Sequence, residues 1–458
     1  MKEALTDTIA AVSTAEGQGG VGIIRISGPR ALEAALRLFH TVEGIRERYF
    51  HLGTIAALDG SAIDRGFLVY MKGPRSYTGE DVVELHCHGG PLILRKVLSE
   101  ALFAGARAAE PGEFTKRAFL AGKLDLSQAE AVADIIRAQT ELSLSSARGR
   151  LEGSLSRKVA SIKAPLVEIL ARVEAELDFP EEEIDAIHAE DLEGALKAVS
   201  SSIDKMLSTF EEGRAIREGA RVLILGRPNA GKSSLLNVLL EEERAIVTDT
   251  PGTTRDVIEE AVSIRGMPVR LMDTAGLRES MDEVEAIGVR RAREKAAHAG
   301  LILYIVDLAG PFEEDRAFLK ELWERKIIIV GNKKDLPQAD ELGAKEAFSP
   351  LPVAAISALR EEGIEELKDL IFSQVAGHDR AALSAPPGEL VASVRHRDCL
   401  MKSKEALARA SAALFAALPR ELLATDMRLA IDALGEITGE TTTDDILDVV
   451  FSAFCIGK

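Results

Sequence analysis

The chain changes its hydrophobic rhythm three times. Through residues 1–118, short apolar runs alternate with turn residues, and VGIIRISG, GFLVYM and DVVELHCHGG read as strands with one or two helices between them. That texture predicts an α+β domain. Residues 119–217 take up a helical period: Leu142, Leu144, Leu151, Leu155, Val159, Ile162, Leu166 and Ile169 recur at near-helical spacing, with no proline between Gly112 and Pro165. Pro165 either opens a new helix or kinks this one. From 218 to 377 the runs RVLILG, VRLMDT, LILYIVDL, KIIIVGN and LPVAAIS are almost wholly apolar, as strands buried on both faces must be. HDRAALSAPPGEL (378–390) is a linker, and the remainder to 458 is helical again. The predicted fold class is therefore multidomain. An α+β domain (1–118) precedes an all-α domain in two parts (119–217 and 378–458), into which an α/β domain (218–377) is inserted. Close termini make such insertions tolerable.

Composition adds exclusions. At 458 residues the chain is too long for a single core, and 46% hydrophobic with 28% charged residues is ordinary globular content. No apolar run reaches the roughly 20 residues of a membrane span, and the first residues lack the pattern of a secretory leader or an Arg-rich transit peptide. Three widely spaced cysteines, Cys87, Cys399 and Cys455, do not form a disulfide framework, which points to the reducing cytoplasm. The net charge of −18 argues against a nucleic-acid protein held by bulk electrostatics, though not against a local basic surface. Ten acidic residues and no Lys or Arg fall between Val173 and Leu196; a solvated helix end explains them.

The α/β segment carries the chemistry. Gly226-x4-Gly231-Lys232-Ser233 follows the run VLIL and precedes SLLNVLL, the strand–loop–helix setting of a phosphate-binding loop. The glycines let the backbone of Asn229, Ala230, Gly231, Lys232, Ser233 and Ser234 close round phosphate oxygens. Lys232 reaches the β- and γ-phosphates and Ser233 ligates Mg²⁺. Thr248, Asp249, Thr250, Pro251, Gly252, Thr253 and Thr254 form a candidate switch loop, with Thr254 completing the Mg²⁺ shell. In DTAG, Asp273, Thr274, Ala275 and Gly276 end a strand; Asp273 holds Mg²⁺ through water and the Gly276 N–H senses the γ-phosphate. In NKKD, Asn332 and Lys333 precede Asp335, whose carboxylate suits the N1–H and amino group of guanine, a donor pair adenine lacks. Ser357 and Ala358 follow the last strand and touch the base edge. Together these motifs predict a GTP hydrolase.

Two residues narrow the mechanism. Leu277 stands where Ras-like proteins carry the glutamine that orients water, so another group must serve, and the acid-rich stretch 279–285 is the place to look. Asn229 lies inside the phosphate loop, where a monovalent cation could bridge it to the carbonyl-rich switch.

The chain resembles the MnmE (TrmE) family of tRNA-modification GTPases along its whole length. The resemblance is carried by residues 7–29, YTGEDVVELHCHGG (77–90), residues 111–136, GRPNAGKSSLLN, TDTPGTTRDV, DTAGLRE and CIGK (455–458). It implies an N-terminal domain that dimerises and binds 5-formyl- or 5,10-methylene-tetrahydrofolate through Arg25, Glu84 and Lys123, with Lys458 nearby. It implies a K⁺ site from Asn229, the carbonyls of Thr248 and Thr250, and Thr253, with Glu285 orienting the attacking water beside catalytic Lys232 and Thr254. It further implies a homodimer working with the FAD-dependent protein MnmG (GidA) in a heterotetrameric or larger complex. Together these place a carboxymethylaminomethyl or aminomethyl group on C5 of the wobble uridine of certain tRNAs. Cys455 has two readings, a nucleophilic thiol or a positioning residue. At 15–20 the chain reads AEGQGG where many relatives read PPGRGG, so an anion contact made there by the family is in doubt. A ribosome-assembly or signalling GTPase sharing only the nucleotide domain would have no use for residues 1–118.

Overall fold

A computed structural model describes residues 7–15, 17–42, 44–178, 188–243, 259–272, 296–322, 325–377 and 383–458. They form two compact units, Met1–Ala133 with Thr438–Lys458, and Asp134–Ile437. This division cuts across the texture of the sequence: residues 119–133 and 438–458 group with the N-terminal segment.

In the first unit, β1 (Ile9–Val12), β2 (Gly19–Ser27), β3 (Phe39–His40), β4 (His51–Ala56), β5 (Ala62–Met71), β6 (Val82–Gly89) and β7 (Arg107–Ala108) make one sheet, in the order β3-β4-β5-β6-β2-β1-β7. All neighbours run antiparallel except β1 and β7. The helix Pro91–Phe103 packs Leu94, Val97 and Ala101 into one core with Ile24, Ile26, Leu68, Val83 and Leu85 of the strands. Strand side chains alternate between faces, so the residues between these, Arg25 and Glu84, turn away from that core. Arg25 and Glu84 are direct register partners on β2 and β6.

The last residues join this unit through a small apolar core. Leu447 and Phe451 of the helix Asp444–Ser452, with Phe454, pack against Leu126, Ala129 and Ala133. The tail then runs close beside the sheet: Ile456 bridges to Pro111, and Gly457 has φ 94° with no room for a side chain, since a Cβ there would lie 2.1 Å from the Val12 carbonyl oxygen. Arg117 is buried and bound by Asp7, Glu80 and Glu113 at 2.8–3.1 Å, so its charge is neutralised several times over.

The second unit contains a helical core and a second sheet. Helices Ser154–Asp178, Ala189–Ser208, Val394–Phe415 and Arg420–Thr438 contribute Leu155, Val159, Ile162, Leu196, Ile203, Leu400, Leu407, Met427 and Leu434 to one cluster. Segments on both sides of the α/β region thus build a common interior. Pro165 lies inside the helix Ser154–Asp178 and opens no new one. The periodic leucine series breaks earlier, at Gly153 with φ 81°, so Leu142 and Leu144 belong to a separate helix, Glu141–Leu151.

The second sheet holds β8 (Ala220–Gly226), β9 (Glu259–Ile264), β10 (Met267–Met272), β11 (Leu301–Asp307), β12 (Ile327–Asn332) and β13 (Val353–Ala355), in the order β13-β12-β11-β8-β10-β9. Only β9 is antiparallel to its neighbour; the other described pairs are parallel. Alternate residues serve two different cores. Val222, Ile224, Leu303, Ile305, Ile328 and Val330 enter one, while Leu223, Leu225, Ile302, Tyr304, Ile327 and Ile329 enter the other. Burial on both faces is why these strands read as unbroken apolar runs. The two-residue β3 and β7, and β1, β4 and β9, carry too little pattern to be read from the sequence. Among the described residues no helix is long and apolar enough to cross a membrane.

Candidate nucleotide and ligand sites

The phosphate loop leaves β8 at the edge of the helix Lys232–Glu243, at the carboxyl end of a parallel strand, where open α/β sheets bind ligands. Its glycines are dictated by close approach. At Gly226, φ is 148° and a Cβ would lie 2.4 Å from the Ile305 carbonyl oxygen on β11. At Gly231, φ is 101° and a Cβ would lie 2.0 Å from Asn332 Nδ2. Asn229 holds φ 61°, a left-handed conformation that asparagine tolerates better than most residues. The Lys232 ammonium folds over the loop, donating to the carbonyls of Gly226 and Arg227, both at 2.7 Å. Burial lowers its pKa. Ser233 follows on the first turn of the helix, so its hydroxyl and the first amides stand where a phosphate and its Mg²⁺ would be held.

Asn332 ties this loop to the segment that follows β13. Its Nδ2 donates to the Ala230 carbonyl at 2.9 Å and its Oδ1 accepts the Ala358 amide at 3.0 Å, all in buried surroundings. Lys333, at φ 66°, places its ammonium 2.6 Å from Asp307 Oδ2. Asp335 Oδ1 accepts from the buried Ser357 hydroxyl at 2.7 Å, and that hydrogen bond holds the carboxyl below the usual carboxylate range. Asp335 therefore presents an ionised carboxylate beside Ser357. Ala230, Gly231, Lys232, Asn332, Lys333, Asp335, Ser357 and Ala358 are thus one assembly. Thr248 to Thr254, Asp273 to Gly276, Leu277 and Glu285 lie outside the described residues.

A second cluster sits on the β2–β6 face of the other unit. Arg25 Nε donates to Glu84 Oε1 at 2.9 Å, and Glu84 Oε2 meets His86 Nε2 at 3.2 Å. The His86 hydrogen bond, with Arg25 alongside, keeps Glu84 below the ordinary glutamate range despite burial. The Arg25 guanidinium lies 5.9 Å from the Tyr77 ring centroid and 5.6 Å from that of Phe114, and Nη1 donates to the Gly457 carbonyl at 3.3 Å. The Tyr77 hydroxyl bonds Thr115 at 2.9 Å. The structure thus brings Arg25, Glu84 and the segment ending in Lys458 together. The Lys123 stem flanks Gly79 in the loop that bears Tyr77. Cys455 is exposed, and its carbonyl accepts the Gly112 amide at 3.4 Å. Tyr77, His86, Phe114 and Thr115 were not legible as site residues. The period-two spacing of Glu84 and His86 was the available signal for one of them.

A model of the MnmE helical domain matches residues 126–455, and a model of the GTP-binding protein TrmE N-terminus matches 8–123. The tRNA modification GTPase MnmE of Geobacter sulfurreducens is 48% identical over 99% of both chains. That of Aquifex aeolicus is 45% identical over 99% of this chain and 100% of its own. Among solved structures, the G domain of the T. maritima FeoB iron transporter is 26% identical, covers 34% of this chain and 98% of its own, and aligns at a TM-score of 0.28, too low to establish a shared fold. On the two family models and on identity across its full length, the chain belongs to the MnmE family of tRNA modification GTPases.

Proposed function

We propose that this protein binds and hydrolyses GTP at the 226–233 loop and couples that cycle to modification of tRNA. The observation that carries the reading is Asn332, which joins the phosphate loop to Ala358 while its neighbour Asp335 offers an ionised carboxylate for guanine. One buried side chain thereby aligns the phosphate end and the base end of a single nucleotide site. Mg²⁺ would be held by Ser233 and Thr254, with Asp273 acting through water. K⁺ would be held by Asn229, the carbonyls of Thr248 and Thr250, and Thr253; the left-handed turn at Asn229 supports that role. Glu285 orients the attacking water. We assign residues 218–377 as a Ras-like G domain inserted into a helical domain, 119–217 with 378–458, behind an N-terminal domain, 1–118.

In the N-terminal unit, Arg25, Glu84, Lys123 and Lys458 are proposed to bind the tetrahydrofolate that donates the one-carbon unit. The Arg25 guanidinium between two aromatic rings, with a carboxylate beside it, supports a planar, charged ligand there. The protein acts in the cytoplasm as a homodimer with the FAD-dependent MnmG protein, adding an aminomethyl or carboxymethylaminomethyl group to C5 of wobble uridine. Cys455 is read as a positioning residue or a thiol acting on the one-carbon unit.

GTP hydrolysis is expected to run several-fold faster in KCl than in NaCl, and Asn229→Ala is expected to erase the difference. Equal rates in the two salts would refute the K⁺ site. For the folate site, Arg25→Ala removes charge-assisted hydrogen bonds worth about 1.5–3 kcal/mol, so binding of 5-formyl-tetrahydrofolate measured by calorimetry should weaken by roughly tenfold or more. Unchanged affinity would move the ligand elsewhere.

A further inference from the structure

The base site contains a cation that its guanine-binding role does not require. Residues 357–362 form a tight closed turn. The Ser357 amide donates to the Glu362 carbonyl at 2.9 Å, and the Glu362 amide returns to the Ser357 carbonyl at 3.2 Å. Glu361, at φ 58°, and Gly363, at φ 76°, complete the bend; a Cβ on Gly363 would lie 2.4 Å from the Ala355 carbonyl oxygen, so the turn is held against β13. Arg360 stands at the tip. Its backbone amide donates to Ser357 Oγ at 3.2 Å, the same hydroxyl that donates to Asp335 Oδ1. Its Nε stands 3.9 Å from Asp335 Oδ2. One oxygen of the guanine-reading carboxylate is therefore engaged by Ser357 and the other is faced by Arg360.

The two contacts have opposite consequences. Ser357 is buried and fixes the carboxylate without blocking it. The Arg360 side chain is 60% exposed and addresses the oxygen that guanine's amino and N1–H donors also need. We infer that Arg360 competes with the guanine base for Asp335 and so sets a weakened, salt-dependent affinity for guanine nucleotides. The turn gives the competition its geometry, because it returns the arginine to the carboxylate after each release. Exposed pairs of this kind contribute little, so the competition changes affinity by roughly 1.4- to 5-fold. The inference rests on the guanine-site reading.

The test is fluorescent-GDP titration of the full-length protein at low and high NaCl. Arg360→Ala and Arg360→Gln are each expected to bind about 1.4- to 5-fold more tightly than wild type at low salt, and the gap should close at high salt as the pair is screened. Unchanged or weaker binding by either folded variant, judged by circular dichroism, overturns the competition; weaker binding would make Arg360 a contact to the nucleotide instead. Asp335→Asn supplies the independent arm. If it binds GDP as wild type does, the guanine site itself has been misread. If it loses GDP and accepts xanthosine diphosphate, the guanine site stands and the Arg360 result is decided on its own.

Discussion

Gly231→Ala is expected to lower affinity for both GDP and GTP by more than about 10²-fold. Two effects combine. The backbone at Gly231 has φ 101°, where a side chain is strained by about 1–3 kcal/mol. The new Cβ would also sit 2.0 Å from Asn332 Nδ2, far inside contact distance, so Asn332 must move. Moving it breaks the hydrogen bonds to the Ala230 carbonyl and from the Ala358 amide. Each buried group left unpaired costs about 1–3 kcal/mol. The loss falls on GDP and GTP alike because the damaged loop lies below the phosphates common to both. Gly194→Ala is the matched control: it lies inside the helix Ala189–Ser208 with nothing within 4 Å of its Cβ, so binding should be untouched. Calorimetric titration of both variants decides it; a Gly231→Ala affinity within about threefold of wild type would disprove the strain argument.

Glu285→Ala is expected to leave nucleotide binding intact while slowing GTP hydrolysis by about 10²-fold or more, the usual scale for a positioned base. Leu277 follows the DTAG motif and cannot polarise water. A hydrolase lacking that glutamine must orient its water with another side chain, and a carboxylate does so by accepting the water's hydrogen. A group that acts on the water alone contributes only in the transition state, so kcat falls and ground-state affinity does not. Single-turnover hydrolysis with saturating GTP, beside a direct measurement of the dissociation constant, separates the two terms. Glu285→Gln refines the result: recovery of turnover would mean that orientation suffices, and its absence that the charge is needed. Hydrolysis within about threefold of wild type in the alanine variant would exclude Glu285 from the reaction.

How far the site could be read in advance depended on how local its logic is. The phosphate loop, NKKD and the Ser357 segment are each contiguous, and the residue types follow from phosphate, Mg²⁺ and guanine chemistry. The Arg25–Glu84 pairing is not contiguous: it needs β2 beside β6 in one particular register. Tyr77, Phe114 and the Gly457 carbonyl reach Arg25 from three further segments, none with a pattern of its own. Arg360 was invisible for the same reason. Its distance to Asp335 is set by a closed turn, and its chemistry as a lone arginine is unremarked in sequence.

By itself the sequence determined the long periodic elements and the nucleotide chemistry, because periodicity and motif spacing are short-range properties of the chain. The buried strands of the second sheet declared themselves through unbroken apolar runs, and the helical core through Leu155, Val159, Ile162 and Leu166. Tertiary structure alone decided which distant segments share a core. Leu447, Phe451 and Phe454 bury their surface against Leu126, Ala129 and Ala133, residues more than 300 positions away in the chain. That packing carries CIGK to Arg25. It also decided that Asn332 of the NKKD segment is the clamp that leaves no room for a side chain at Gly231 and ties the phosphate loop to the Ala358 amide.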